Sequence, residues 1–332
     1  MEKLFERHDQ YLAEIPTKFV RGVIDKIDWS LRLIAIKGPK GVGKSTLMLQ
    51  YIKLNFSADD RHVLYCSADT NYFTTHTLVD TADKFCKIGG RYLFIDEIHK
   101  YENWSREIKE IYDLHRELHI VISGSSLLQI NDGHSDLSRR LTEYQMSGLS
   151  FREFMCMMTG VNIEPIELSS LLNSPNLFCQ EVKRHFHPLE YFHLYLKEGY
   201  YPFYFENKKM YHNVIENVIN YIVDNELTMF RGLEVGNSRR IKALLQVLSK
   251  MVPYEVDISK LSRTIGIQRP TTLKYLKNLE EAALIRRLFT KIDTITDLQK
   301  PDKILLVNSN ILYTLSDSNP EIGTRSEEHT SE

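Results

Sequence analysis

The sequence predicts an α/β fold built on a doubly wound parallel sheet. Apolar runs that begin at Leu33 and Tyr92, and two further runs at 62–69 and 119–126, are typical of buried strands. Helical patterns separate these runs, and such alternation indicates parallel strands joined by right-handed helical crossovers. Ligands of such sheets bind at the carboxyl ends of the strands. Functional residues are therefore expected where each apolar run ends.

A glycine-rich turn, GPKGVGKS at 38–45, follows the first run and fits G-x-x-x-x-G-K-[ST] at every fixed position. Its glycines let the backbone wrap an anion, and the next helix adds unpaired N–H groups and a positive dipole end. Lys44 can reach β- and γ-phosphates, and Ser45 can ligate Mg²⁺. The residues expected to hold the nucleotide here are Gly38, Pro39, Lys40, Gly41, Val42, Gly43, Lys44, Ser45 and Thr46.

Three helices are expected between the strands. The first continues from the glycine-rich turn to about Leu54, and the second covers 75–87. The third is amphipathic and runs from Trp104 to Leu118, with one apolar face. That face consists of Trp104, Ile108, Ile111, Leu114 and Leu118.

Two acids end the apolar run YLFI at 92–95, as in a Walker B motif. Asp96 is expected to hold the Mg²⁺ shell, directly or through water. Glu97 is expected to orient and deprotonate the attacking water, which favours a hydrolase over a kinase. The alternative is that both acids are merely solvated at a strand end.

The run HIVISGSS at 119–126 ends in small hydroxylated residues, where ATPases place a side chain that contacts the γ-phosphate or the water. Ser123 is the candidate and Ser125 the competitor, unless the hydroxyl only caps a strand end. Arg139 and Arg140 follow and could reach a γ-phosphate, in cis or from a neighbouring copy. A solvated basic pair is the equal alternative.

These motifs, followed by LSFREF at 149–154 and YLKEGYYP at 195–202, resemble the prokaryotic AAA-type ATPases of the "AAA domain plus DUF4143" group. Tyr200 departs from the second glycine of that family's Gly-Gly-x-Pro element. The resemblance implies a fold of the AAA type, ATP binding with hydrolysis, and a C-terminal DNA-binding winged helix. It also places an additional strand between the strands of the P-loop and of Walker B.

The expected organisation has six parts. They are an N-terminal segment at 1–20, the ATPase core at 21–154, a helical lid or linker at 155–250, a winged helix at 251–303, the start of a truncated C-terminal region at 304–322, and a tail at 323–332. The nuclease-like domain that often ends the family is missing. The tail GTRSEEHTSE resembles translated adapter sequence and is expected to be foreign to the natural protein.

The stretch 258–289 has the helix, turn, helix and strand order of a winged helix. A Ser N-cap and Gly266 are expected to bound its first helix, and Pro270 lies in the first turn of the second. The stretch 258–303 contains ten lysines and arginines but only five acids, a local positive charge that suits contacts to DNA phosphates. Winged helices also bind proteins, which is the alternative. The expected DNA contacts are Thr271, Thr272, Lys274, Lys277, Arg286 and Arg287.

Composition argues against several classes of function. A net charge of −2 predicts no general attraction to nucleic acid or anionic membrane, so any such surface is local. The four cysteines form no C-x-x-C pair, which argues against zinc and disulfides and fits a reducing cytosol. The charged N-terminus lacks a signal peptide, and no apolar run approaches the ~18 residues of a membrane span.

The sequence therefore predicts a cytoplasmic ATPase that uses ATP and Mg²⁺ and couples nucleotide state to DNA or to a partner through the winged helix. A protein client or further copies of the chain are the other expected partners, and no membrane is involved. The alternative is a slow nucleotide-gated switch or interaction module with little hydrolysis, because no arginine finger is unambiguous.

Overall fold

The computed structural model describes residues 1–127, 136–228, 235–250, 257–289, 301 and 303–316. The chain forms two compact units, Met1–Gly148 and Leu149–Glu332. The first unit takes in both the expected N-terminal segment and the core, and its limit falls before the expected one at 154. The expectations for the tail at 323–332, and for 317–322, lie outside the described residues.

The first unit contains the predicted parallel sheet. Its five strands lie in the order β2-β3-β4-β1-β5, and all neighbouring pairs are parallel. The strand β4 lies between β1, which leads into the P-loop, and β3, which leads into Asp96, as expected. The bounds are β1 Leu33–Lys37, β2 Val63–Ser67, β3 Tyr92–Asp96, β4 His119–Gly124 and β5 Thr142–Gln145.

Four α-helices accompany the sheet, and its central strands are buried along almost their whole length, as in sheets covered on both faces. The predicted helix to Leu118 is too long: it ends at Leu114, whose side chain is 61% exposed instead of packing in the core. Leu118 is buried in the connection to β4. The helices are α1 Glu2–Glu14, α2 Lys44–Asn55, α3 Leu78–Lys87 and α4 Trp104–Leu114.

The helix α1 packs along β2, the strand at one edge of the sheet. The ring of His8 is buried, and its Nδ1 accepts a hydrogen bond of 3.0 Å from the backbone N–H of Tyr65. Burial lowers the pKa of His8 to about 4, so the ring stays neutral and able to accept. On α2, Gln50 and Lys53 donate to backbone carbonyls at 12–19. These contacts make α1 part of the first unit.

The second unit begins with helices, as expected for 155–250. Ser150 and Glu153 form a capping box at the start of its first helix, and Gly160 ends that helix with φ of 74°. The helices are α5 Phe151–Thr159, α6 Leu168–Asn173, α7 Pro175–His185, α8 Pro188–Glu198, α9 Tyr211–Tyr221 and α10 Ser238–Lys250, with π-helical Ile222–Glu226 after α9.

Two helices and a two-stranded antiparallel sheet follow. The side chain of Asp257 accepts from the N–H groups of Ser259 and Lys260, so the expected serine cap is wrong. Gly266 ends the first of these helices with φ of 71°, as expected. Ile285 pairs with Leu306 in the sheet. The elements are α11 Ile258–Ile265, α12 Arg269–Glu281, β6 Ile285–Leu288, β7 Lys303–Leu306 and α13 Ser309–Leu315.

A buried asparagine joins α13 to the end of α8. The Nδ2 of Asn310 donates to the carbonyls of Tyr195 and Leu196, at 3.1 and 2.8 Å. Its Oδ1 accepts from the N–H of Tyr200, at 2.7 Å, and from the hydroxyl of Tyr211. The carbonyls and N–H that end α8 are thus satisfied by a side chain more than a hundred residues away. This contact fixes the EGYYP element that the sequence singled out.

Candidate functional site

Three groups of functional residues meet at one edge of the sheet, because parallel strands share their carboxyl-terminal edge. The P-loop follows β1, Asp96 and Glu97 end β3, and Ser123 lies near the end of β4. In the register of the sheet, Ser123 is the partner of Ile36, the residue before the end of β1. The arrangement expected from the order of motifs is thus present.

The P-loop depends on glycine at two positions. Gly41 and Gly43 have φ of 86° and 94°, a region that side chains other than glycine seldom adopt. Gly43 is also the N-cap of α2, so Lys44, Ser45 and Thr46 form the first turn and leave their N–H groups free of intrahelical partners. The positive end of the helix therefore faces the loop, as an anion site requires.

The ammonium of Lys44 lies inside this loop. Its Nζ donates to the carbonyls of Gly38 and Pro39, at 2.9 and 3.0 Å, and the residue is only 6% exposed. Gly38 packs against Met146, the residue after β5: a Cβ built at Gly38 would clash with the carbonyl oxygen of Met146. The start of the loop is therefore held by close contacts, and the Lys44 side chain ties it to the start of α2.

Sequence reasoning missed Arg21 as a residue that braces the P-loop. Its buried guanidinium donates to the carbonyl of Val42 in the loop, at 3.2 Å. It also donates to the carbonyls of Ser147 and Gly148, at 3.1 and 2.9 Å. Because these backbone carbonyls belong to residues far from Arg21 in the chain, no sequence motif could have identified the contacts.

Both oxygens of Asp96 are engaged. Oδ2 accepts from the hydroxyl of Tyr65, at 2.7 Å, and Oδ1 accepts from Ser123 Oγ and from the N–H of Glu97. Asp96 and Tyr65 are both 4% exposed. Burial and the neighbouring carboxylate raise the pKa of Tyr65, so its hydroxyl keeps its proton and donates. Tyr65 is a second residue that the sequence did not single out.

Glu97 has an unusual backbone and a partly accessible side chain. Its φ of 50° and ψ of 39° place it in the left-handed region, which costs a non-glycine residue about 1–3 kcal/mol. Its N–H donates to Ser123 Oγ, at 3.1 Å, and its side chain is 25% exposed. One carboxylate oxygen lies 3.3 Å from Nε2 of His99. Strain of this kind persists where the surrounding structure imposes it.

Ser123 and Ser125 occupy different positions. The hydroxyl of Ser123 is fully buried between Asp96 and the backbone of Glu97. Ser125 uses its backbone N–H to approach Nδ1 of His99, at 3.4 Å. The geometry favours Ser123 as the residue that organises the two acids, and its role toward phosphate stays a prediction.

Arg139 and Arg140 lie near the amino-terminal ends of the strands, on the side of the sheet opposite the P-loop. Both precede β5, whose first residue Thr142 pairs with Ile34 near the start of β1. Arg140 approaches Asp113 at the end of α4, with Nε 3.2 Å from Oδ1. The alternative that either arginine acts in cis is therefore wrong, and only action on a neighbouring copy stays a prediction.

The oxygen donors at the loop fit Mg²⁺ bound together with phosphates. Mg²⁺ in nucleotide sites takes one or two protein oxygens and completes its shell with phosphate and water. Ser45, in the first turn of α2, and Asp96, at the end of β3, provide such oxygens on the same side of the sheet. Within the described ranges, no group of three or more His, Cys, Asp or Glu side chains could hold a metal ion by itself.

The expected DNA contacts divide into two groups. Lys274, Lys277 and Arg286 are exposed, and Thr271 is partly exposed; Lys277 lies 3.9 Å from Glu281. Thr272 is wholly buried, and its hydroxyl lies 2.8 Å from that of Ser262 on α11, so this prediction is wrong.

Arg287 is also a wrong prediction, because it is engaged within the unit. Its Nε and NH2 contact Oε2 of Glu280 at 2.7 Å, and its N–H donates to Oε1. Sequence reasoning missed two other arginines nearby: Arg240 and Arg263 line a cleft of about 440 Å³ together with Thr271. Both are exposed.

Comparison with protein families identifies two regions. Residues 30–155 match the model described as an AAA domain (AAA_14), which supports an AAA-type P-loop ATPase. Residues 189–322 match a domain of unknown function, DUF8612. The AAA part of the resemblance is thereby confirmed, while the C-terminal model differs from the expected DUF4143.

Solved structures share only weak similarity with this chain. PCH-2 from C. elegans is 16% identical over 52% of this chain, with a TM-score of 0.29, and the chain spans 48% of its length. AMPPCP-bound DnaA from Aquifex aeolicus is 17% identical over 81% of this chain and 93% of its own, with a TM-score of 0.32. No curated protein matches the chain. None of the helices in the described residues is long and apolar enough to cross a membrane.

Proposed function

We propose that this protein is a Mg²⁺-dependent ATPase in which Glu97 is the general base. The convergence of the P-loop with Asp96, Glu97 and Ser123 at one sheet edge is the observation that carries the proposal. It brings an anion site, a divalent-cation ligand and a partly accessible carboxylate together. The charges of this arrangement complement those of a nucleoside triphosphate bound with Mg²⁺.

Each residue has a distinct task in hydrolysis. Lys44 leaves the carbonyls of the loop and binds β- and γ-phosphate oxygens, while the first turn of α2 donates N–H groups. Ser45 and Asp96 would hold Mg²⁺, which would neutralise charge on the phosphates when bound. Glu97 orients a water and takes its proton as the water oxygen bonds to the γ-phosphorus. The bond to the β–γ bridging oxygen breaks, and ADP leaves with its electron pair.

The second candidate is a slow nucleotide-gated switch. The observation that favours it is the position of Arg139 and Arg140 on the side of the sheet opposite the P-loop, since neither can assist its own site. Turnover by a single copy would then be slow, and a neighbouring copy would supply the cation that transition-state charge requires. A rise of specific activity with protein concentration would separate assembly-dependent hydrolysis from a switch that is slow at every concentration.

We further propose that α11, α12 and the sheet of β6 and β7 form a winged helix that binds duplex DNA. The exposed cations on α12 and β6 support this, since they outnumber the acids there: Glu280 is paired with Arg287, and Glu281 lies 3.9 Å from Lys277. The second helix would enter the major groove, with Thr271 and Lys274 in its first part. A role in protein docking is the competing outcome.

Measurement of ATP binding and turnover, with and without duplex DNA, tests these proposals together. We expect tight binding that requires Mg²⁺, measurable release of phosphate, and DNA binding that weakens as salt rises. Absence of nucleotide binding in a direct titration would contradict the ATPase proposal. Absence of DNA binding at low salt would contradict the winged-helix proposal alone and favour a protein partner.

A further inference from the structure

His99 is a buried histidine beside the proposed general base, and no motif assigns it a role. It belongs to the short 3₁₀ helix Ile98–Lys100 that follows Glu97. Its side chain is only 1% exposed, yet its two ring nitrogens face different partners. Nδ1 accepts a hydrogen bond of 3.4 Å from the backbone N–H of Ser125. Nε2 lies 3.3 Å from Oε2 of Glu97, close to the carboxylate but without the alignment of a hydrogen bond.

The partners determine which ring nitrogen carries the proton. A backbone N–H can only donate, so Nδ1 must accept from Ser125 and carry no proton. Burial lowers the pKa of His99 to about 3, and the charges of Lys100, Lys44 and Lys40 act in the same direction against the opposing effect of Asp69. The ring is therefore neutral at physiological pH, and its single proton is on Nε2, facing the carboxylate of Glu97.

We propose that His99 is a positioning residue for Glu97: its Nε2–H lies close to the carboxylate and attracts it, while its Nδ1 anchors the ring to Ser125, the residue that follows β4. This inference rests on the proposed ATPase function. A glutamate has three side-chain torsions, and a general base acts only when it lies within hydrogen-bond reach of the water. The backbone of Glu97 is held in the left-handed region, so the attraction of Nε2–H acts on the side-chain torsions alone.

A purely structural role for His99 predicts different behaviour. In that case the ring fills space and satisfies the N–H of Ser125, and its contact with Glu97 is incidental. Two amides separate the roles, because glutamine places an N–H donor near the position of Nε2, whereas asparagine places an acceptor near the position of Nδ1. His99→Gln therefore retains the contact to Glu97, and His99→Asn retains only the contact to Ser125.

We expect His99→Gln to keep kcat within about threefold of the unsubstituted chain. We expect His99→Asn to lower kcat by about 10- to 100-fold, which is part of the about 10²–10⁴-fold effect of a general base. KM and the affinity for Mg·ATP should stay nearly constant in both, since the two nitrogens contact Ser125 and Glu97, which lie outside the P-loop. Equal kcat in the two variants, or a greater loss in His99→Gln, would overturn the proposal. Equal thermal unfolding of both variants is the control for folding.

A second measurement keeps the inference testable even without turnover. Nitrogen NMR of the full chain should show His99 as the neutral Nε2–H tautomer from pH 7 to about 5, with the Nε2 shift altered by Glu97→Ala. A proton on Nδ1, or a shift unaffected by Glu97→Ala, would contradict the positioning role. Absence of ATP hydrolysis together with the expected NMR result would refute the ATPase proposal and leave the His99–Glu97 contact established.

Discussion

The P-loop edge of the first unit and the basic surface of the second unit handle charge in opposite ways. At the P-loop edge the functional groups are buried: Lys44 is 6% exposed and Asp96 is 4% exposed, and each has hydrogen-bond partners that fix its direction. On α12 and β6 the candidate cations, Lys274 and Arg286, are exposed. If the proposed functions hold, the first region would bind nucleotide through fixed geometry, and the second would bind DNA mainly through electrostatic attraction.

This difference explains why the structure contradicts none of the predicted P-loop residues but does contradict some of the predicted DNA contacts. The P-loop chemistry requires particular residue types in contiguous positions, so the motif determines both identity and orientation. A basic stretch determines only composition. Which of its residues face solvent depends on packing: of the six expected DNA contacts, Thr272 is buried, Arg287 is paired with Glu280, and Lys277 lies beside Glu281.

The largest expected effect is at Lys44. Lys44→Ala removes the cation of the loop, and we expect the affinity for Mg·ATP to fall at least about 100-fold, since hydrogen bonds to charged groups contribute about 1.5–3 kcal/mol each. Isothermal titration with a nonhydrolysable ATP analogue measures this. Lys87→Ala, which removes an exposed lysine at the end of α3, is the control and should bind normally. Unchanged affinity in Lys44→Ala would refute the P-loop assignment.

Substitutions of exposed lysines on α12 should weaken DNA binding partially and should not abolish it. Replacement of Lys274 and Lys277 by alanine should flatten the dependence of log affinity for duplex DNA on log salt by about one or two units, since each phosphate contributes about 0.9. Binding should weaken similarly for all sequences. The matched control replaces Lys183 on α7 and Lys209, both exposed, and should leave the slope unchanged. Equal slopes in the two double variants would contradict DNA binding by this surface and favour protein docking instead.

The smallest effects distinguish two neighbouring arginines. Arg286→Ala should lower DNA affinity and change the free energy of unfolding by less than about 0.5 kcal/mol, as at an exposed site. Arg287→Ala should do the reverse and lower the free energy of unfolding by about 1–2 kcal/mol, because it leaves Glu280 without its charged partner. Denaturant titration and DNA binding of both variants measure the contrast. The same response in both would show that the pairing with Glu280 is unimportant.

Part of this contrast could have been predicted from the sequence. Thr272 shares a helical face with Tyr275, Leu276 and Leu279, which recur at the spacing of a buried stripe. In the same way Arg287 is two residues from buried Ile285, so both lie on the same face of β6. These periodicities outweigh charge as a guide to exposure.

Other features could not be predicted, because they depend on partners distant in sequence. Arg21 braces Val42 through contacts to Ser147 and Gly148, and Tyr65 reaches Asp96 from the neighbouring strand. Asn310 completes the end of α8 from across the second unit. The strands, the P-loop and the order of the acids were predictable, since these depend on local pattern. The residues that orient them depend on tertiary contact.

The measurement that tests the central claim most directly compares the natural chain with Glu97→Gln. Glutamine has nearly the shape of glutamate and can still hold a water, but it cannot take the proton of that water. We expect Mg·ATP to bind with unchanged affinity and the rate of phosphate release to fall about 10²–10⁴-fold. Equal rates of phosphate release in the two proteins would contradict the assignment of Glu97 as the general base.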